Sequence, residues 1–295
     1  MNNQNGQAVL IILLTMVVAL TVVLSVIAGT TSDIKLSTNE TSSLRAFSAA
    51  ESGIEKALVT NSASSGSVNN ANFTAVVAGL SQGTKNYNYP IDLVTGDSGV
   101  VWFVSHNSDG TLGCGTCFTG HIINICWGKP GTSASSATTP ALEISTFYLN
   151  TPGDYTTVRV AKDIFDPYTT RPGTKNSYDA IDAGTCTIGS TNYAFQKQVD
   201  LATLGIGSGS YGVVNGLQFM PVKMLYNSDI PQPFGISVNF AGNSTLPNTL
   251  PSQGNLVDST GSLNQATRKV EVTRAYNMAP PPFDAAVFSP NTLSQ

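Results

Sequence analysis

Cys114-Gly115-Thr116-Cys117 is the place in the sequence where two reactive groups fall at a spacing that chemistry uses. Two thiolates so placed could ligate zinc if Cys126 and Cys186 completed a set of four. Zinc ribbons, however, pair one Cys-x-x-Cys with a second, and here the other two cysteines lie far apart. A thioredoxin-like redox site needs the motif at the start of a helix beside a parallel sheet, and nothing after Cys117 reads as helical. Disulfides or free thiols remain, with one or two bridges favoured if this part of the chain lies outside the cytoplasm. Four cysteines allow three pairings, and the sequence does not choose among them.

The other candidates are weaker. His106 and His121 are the only histidines, and neither has a Ser, Cys or carboxylate at a motif spacing. Asn107-Ser-Asp109-Gly110 begins like a calcium loop, but the twelfth position, where a glutamate is needed, is Phe118. A turn is the better reading. Asp163, Asp166 and Asp182 are scattered. The chain has no nucleophile elbow, zinc-protease motif, phosphate loop or dinucleotide fingerprint. It therefore offers no catalytic set, no metal site and no cofactor. Asn39, Asn72 and Asn243 begin glycosylation sequons, which chance supplies in a chain so rich in Asn, Ser and Thr.

Composition narrows the classes further. Only 11% of the 295 residues are charged, with 14 Lys and Arg and a formal net charge of -4. No basic cluster is dense enough to neutralise a run of phosphates, so nucleic-acid binding has no electrostatic footprint in the sequence. A surface built on uncharged Ser, Thr, Asn and Gly suits an extracellular β-rich protein.

The elements that would position these residues begin with an apolar run. Ala8 to Thr31 carries no charge and no proline. About 20 apolar residues in a helix cross a bilayer core of roughly 30 Å, and Ala8 to Ala28 meets that length. A secretory h-region of roughly 7–15 residues is shorter. Helical patterning then continues. Leu44, Phe47, Ala50, Ile54 and Leu58 recur at spacings of three and four, the stripe of an amphipathic helix. The spacing predicts one helix from Gln7 to Leu58, roughly 75–80 Å long, apolar all round in its first half and on one face in its second.

A short polar leader ending in Gly6, an uninterrupted apolar helix and the segment Arg45-Ala-Phe-Ser-Ala-Ala-Glu-Ser-Gly-Ile-Glu-Lys-Ala-Leu58 together resemble the N-terminal region of minor pilins and pseudopilins, the PilX-like group in particular. The resemblance covers about the first fifth of the chain, and its most specific part is Ala46 to Glu51. It implies a prepilin peptidase cutting after Gly6 to leave Gln7 as the mature N-terminus. It implies an α-helix held in membrane lipid until assembly and then packed among other subunits, with Ile11, Leu44, Phe47, Ala50, Glu51, Ile54 and Leu58 on its packing surfaces. The implied location is the bacterial cell membrane, crossed once, with the head outside and a surface filament after assembly. Major pilins carry a glutamate at the fifth mature position; here it is Ile11, as in certain minor, tip-located subunits. The leader also lacks the usual Lys or Arg.

Residues 59–95 read as a polar linker, rich in Ser, Asn and Gly. Beyond it the period shortens to two. Val100–Val104, Ile122–Trp127, Leu142–Leu149, Val158–Val160, Tyr193–Leu201, Leu217–Leu225, Ile236–Phe240 and Lys269–Thr273 read as strands between turn clusters. The expected class is α+β: a long N-terminal helix, then a mainly antiparallel β-sandwich head over 96–295. The Pro-rich tail from Met278, with Phe283 and Phe288, is expected to run along the surface.

Overall fold

A computed structural model describes residues 5–107, 109–172, 178–239 and 248–277. The tail with Phe283 and Phe288, and the sequon at Asn243, lie outside these. In chain order the elements are α1 (Asn5–Thr60), β1 (Ser64–Val68), β2 (Ala71–Gly79), β3 (Asn86–Asn88), β4 (Ser98–Trp102), β5 (Ser105–His106), β6 (Leu112–Gly113), β7 (Ile122–Trp127), β8 (Ala141–Leu149) and β9 (Val158–Phe165). They continue with β10 (Cys186–Ile188), β11 (Thr191–Tyr193), β12 (Phe195–Asp200), α2 (Ser208–Tyr211), β13 (Leu217–Leu225), β14 (Phe234–Asn239), β15 (Gly254–Leu263) and β16 (Ala266–Ala275). The class is α+β, with one long N-terminal helix and antiparallel sheets.

The chain divides into two compact units. One comprises residues 1–78 and 256–272, the other 79–255 and 273–295.

The first unit holds α1 and most of a four-stranded sheet in the order β1-β2-β15-β16. Here the expected linker is corrected, because β1, β2 and β3 form within 59–95. The signal was faint because β2 turns Ala71, Phe73 and Ala75 inward and Asn72 and Thr74 outward. An alternation built on alanine has little contrast. Asn69 and Asn70, at φ of 52° and 65°, form the two-residue connection between Val68 and Ala71, which pair directly. Two positive φ values at adjacent residues are what a tight hairpin needs, and Asn tolerates them.

Small residues let α1 lie close on this sheet. Ala46, Ala49, Ala50 and Ala57 are fully buried and Ile54 nearly so. Opposite them are Ala71, Phe73, Ala75 and Val257, with Leu58, Val77, Val270 and Leu263 half-buried at the edges. A Cβ at Gly261 would collide with the backbone carbonyl of Ala46, and one at Gly53 with the Ser259 hydroxyl and the Phe73 ring. The face that docks is therefore narrower than the stripe read from the sequence, and rotated from it: Leu44 and Phe47 are 65% and 43% exposed. Two polar contacts flank the seam, Arg268 Nε donating to Ser43 Oγ at 2.8 Å and Asn264 Nδ2 to Ser42 Oγ at 3.3 Å.

The second unit contains two four-stranded sheets, ordered β12-β7-β14-β3 and β4-β13-β8-β9, with hairpins β10-β11 and β5-β6. One apolar cluster draws on both sheets, with Ile123, Ile125, Trp127, Phe234 and Ile236 from the first and Val101, Leu142, Ile144, Met220 and Val222 from the second. Pro221 sits in the central strand β13, where it lacks an N–H to give. The register of the ladder to β8 shifts nearby, between Leu217 and Phe219. At the sheet edge, Gln253 accepts from Trp102 N–H and donates to Trp102 O, both at 2.8 Å, so its buried side chain stands in for a missing strand.

Gly261→Ala should lower stability by roughly 1–3 kcal/mol, the usual cost of overpacking a rigid contact. Gly115→Ala, which meets open space, should change it by less than about 0.5 kcal/mol. Thermal melts of the detergent-solubilised chain measure both.

Candidate functional site

Helix α1 is the structural feature with the clearest functional consequence. It runs without interruption for 56 residues. Each large apolar side chain from Val9 to Ile27, Ile11 among them, is 53–71% exposed. Burying one such side chain is worth about 1.5–3 kcal/mol. With fifteen of them in this stretch, roughly 20–45 kcal/mol separates the bare helix from a covered one. The threonines in and just after it turn back on the helix: Thr15 donates to Ile12 O, Thr21 to Val18 O, Thr30 to Val26 O and Thr31 to Ile27 O. That satisfies them without water, as a hydrocarbon surrounding requires. The helix is long and apolar enough to cross a membrane.

Beyond the apolar run the same helix docks through Ala50, Ile54 and half-buried Leu58. Glu51 is exposed, as are Leu36, Leu44 and Phe47. The segment Ala46 to Glu51 thus has two sides, alanines against the sheet and Phe47 with Glu51 turned away. Gly6 and Gln7 lie in the first turns of α1.

All four cysteines are in disulfides, Cys114–Cys117 and Cys126–Cys186. No thiolate is left for zinc, and among the described residues no group of three His, Cys, Asp or Glu is placed to hold a metal ion. Cys186 lies on strand β10 rather than in a loop. Its partner Cys126 lies near the end of β7, and both pack with Ile188 and Tyr193. Closing a separation of 60 residues restricts the unfolded chain by about 4 kcal/mol, whereas the Cys114–Cys117 ring constrains little beyond its own turn.

The histidines acquire partners that sequence spacing did not reveal. His121 Nδ1 lies 2.7 Å from Asp200 Oδ1, 79 positions away, and its ring packs 4.9 Å from Tyr211. Asp200 also accepts from Ala202 N–H. The His121 hydrogen bond holds the Asp200 carboxyl below its ordinary range. The pair resembles the orienting half of a catalytic triad, yet no hydroxyl or thiol completes it among the described residues, and it serves to fix the turn after β12. His106 is sandwiched between rings, 3.9 Å from Tyr276 and 4.4 Å from Trp102 by centroid. Its Nδ1 is buried without a partner, and burial pushes its pKa down from 6.5. Asp109 accepts from Thr111 N–H and Oγ1, which is turn chemistry and not calcium binding.

Comparison with protein-family models, with curated proteins and with solved structures returned no match.

His106 makes stability depend on pH. A base whose folded pKa is depressed binds its proton more readily when unfolded, so its contribution is intact above 6.5 and is lost as pH falls below that value. Melting temperature measured between pH 7 and 5 should fall more steeply for the native chain than for His106→Phe, which keeps the ring stack but cannot be protonated.

Proposed function

We propose that this chain is a minor pilin or pseudopilin: a structural subunit held in the bacterial cell membrane by α1 and carried into a type IV pilus or secretion-type filament, with its β-rich body outside. The observation that carries the reading is the combination, in one continuous helix, of an all-round apolar half with no coverage of its own and a second half seated on a sheet through Ala46, Ala49, Ala50 and Ala57. A helix apolar on every side can exchange lipid tails for copies of other helices with little change in environment. Such an exchange is what entry into a filament demands. The partners are then membrane lipid before assembly, a prepilin peptidase acting after Gly6, and other pilin-like subunits afterwards. Exposed Leu44 and Phe47, left out of the internal seam, are available to those subunits.

In this reading the chain is not an enzyme. The two four-stranded sheets of the body form a β-sandwich in this reading, supported by their shared apolar cluster, while the disulfide between Cys126 and Cys186 ties β7 to β10. That disulfide suits a compartment outside the cytoplasm.

A second reading is a surface adhesin or binding module that stays anchored for good. Ile11 is compatible with it as well, because the glutamate that major pilins carry at this position is absent.

Gly6→Leu separates the two. For a pilin-like subunit, the variant should keep its full length, remain in the membrane fraction and disappear from sheared surface filaments. Unchanged processing in the variant, or absence of the native chain from sheared material, would favour the permanent anchor.

A further inference from the structure

A cleft of about 340 Å³ opens on the body between the β7–β8 loop (residues 128–140) and the turn that leads into β14. We infer that it is a binding site for a neutral saccharide. The inference concerns the body alone and does not depend on the fate of α1.

The loop is long and irregular, yet buried side chains hold it at several points. At its far end Trp127 Nε1 donates to Pro140 O at 2.9 Å. In its middle the buried Arg171 donates to Ala137 O at 2.7 Å and to Thr139 O at 2.9 Å, while a two-point bond to Asp166 holds the guanidinium. At its near end Gln232 Oε1 accepts from Lys129 N–H at 2.8 Å. Thr139, fully buried, ties its hydroxyl to Ser133 O. The opposing turn is fixed as well, because buried Asn227 donates to Ile230 O and Leu93 O. Long structureless loops in compact domains are commonly functional, and one fastened at this many points is shaped before any ligand arrives.

The chemistry of the lining selects the ligand class. Exposed Asp229 offers acceptors. Lys129, Ser133 and Thr138 supply donors and hydroxyls at the rim. Gln232 is only 5% exposed; its oxygen accepts from the loop at Lys129 N–H, and its side-chain amide faces the cleft lining. Pro130 and the 49%-exposed Ile230 supply apolar surface of the kind that the C–H face of a sugar ring covers. Anionic ligands fit poorly. Lys129 is the sole cation in the lining, it is already paired with Asp92 at 2.9 Å, and Asp229 adds a negative charge. A metal ion would need clustered carboxylates, which the described residues lack. The volume lies at the small end of ligand pockets, which run from roughly 300 to 1,000 Å³, and suits about one or two sugar rings.

The test is a glycan array probed with the full chain, labelled and kept in lauryldimethylamine oxide so that no sugar-headed detergent competes. The site requires binding to at least one neutral glycan, competed by the free sugar. It also requires binding about tenfold weaker or worse in Asp229→Asn and Lys129→Met, with melting temperatures unchanged, while Lys269→Met on the other unit binds like the native chain. No bound glycan, equal binding by all variants, or binding confined to acidic glycans and abolished by salt would each overturn it.

Discussion

The first half of α1 is apolar on every side and long enough to cross a membrane. Between Val9 and Ile27 each large hydrocarbon side chain points outward with no protein surface over it, and the cost of leaving them wet exceeds the whole net stability of a typical domain, about 5–15 kcal/mol. Everything else about this chain has to be compatible with that half being covered. Lipid covers it before assembly in the proposed function, and neighbouring helices do so afterwards. The threonines that bond back onto the helix, and the scarcity of charge before Asp33, are local consequences of the same requirement.

The second half of α1 meets a different constraint. There the helix must approach a sheet closely, and the sequence answers with alanines on one partner and Gly261, Ser259 and Ala75 on the other, leaving room for Ile54, Phe73 and Val257. Burial through small residues gives modest area per residue but rigid spacing, because a single added methyl group meets backbone. In the other unit the division of labour differs again. Large aromatic and branched residues fill the core, Cys126–Cys186 ties β7 to β10, and the buried Arg171–Asp166 pair fastens loops that no sheet reaches. Removing one partner of such a pair leaves an uncompensated buried charge, so that pair matters to the shape of the cleft beside it.

Much of this was legible in the sequence. The apolar run, the continuous helix and the strands β7 and β13 were read almost to the residue, because their patterns are strong and local. The strands at 64–79 and at 254–263 have mostly Ala, Gly and Ser at their inward positions, with Phe73 and Val257 the exceptions, so their contrast with polar neighbours is small. Of the stripe Leu44, Phe47, Ala50, Ile54 and Leu58, the last three dock on the sheet, whereas Leu44 and Phe47 stay exposed because the close approach selects the alanines beside them. Pairings such as Cys126 with Cys186, His121 with Asp200 and Trp127 with Pro140 depend on strand order and register. The cleft is assembled from residues about a hundred positions apart, and no spacing rule could have joined them.

The most direct test is the N-terminal residue of the chain recovered from its native cells, read by mass spectrometry of the intact protein and its first peptide. A subunit processed for filament assembly starts at Gln7, with Met1 to Gly6 removed. A chain that still starts at Met1 in its mature, membrane-bound form would contradict the account and leave a permanently anchored surface protein.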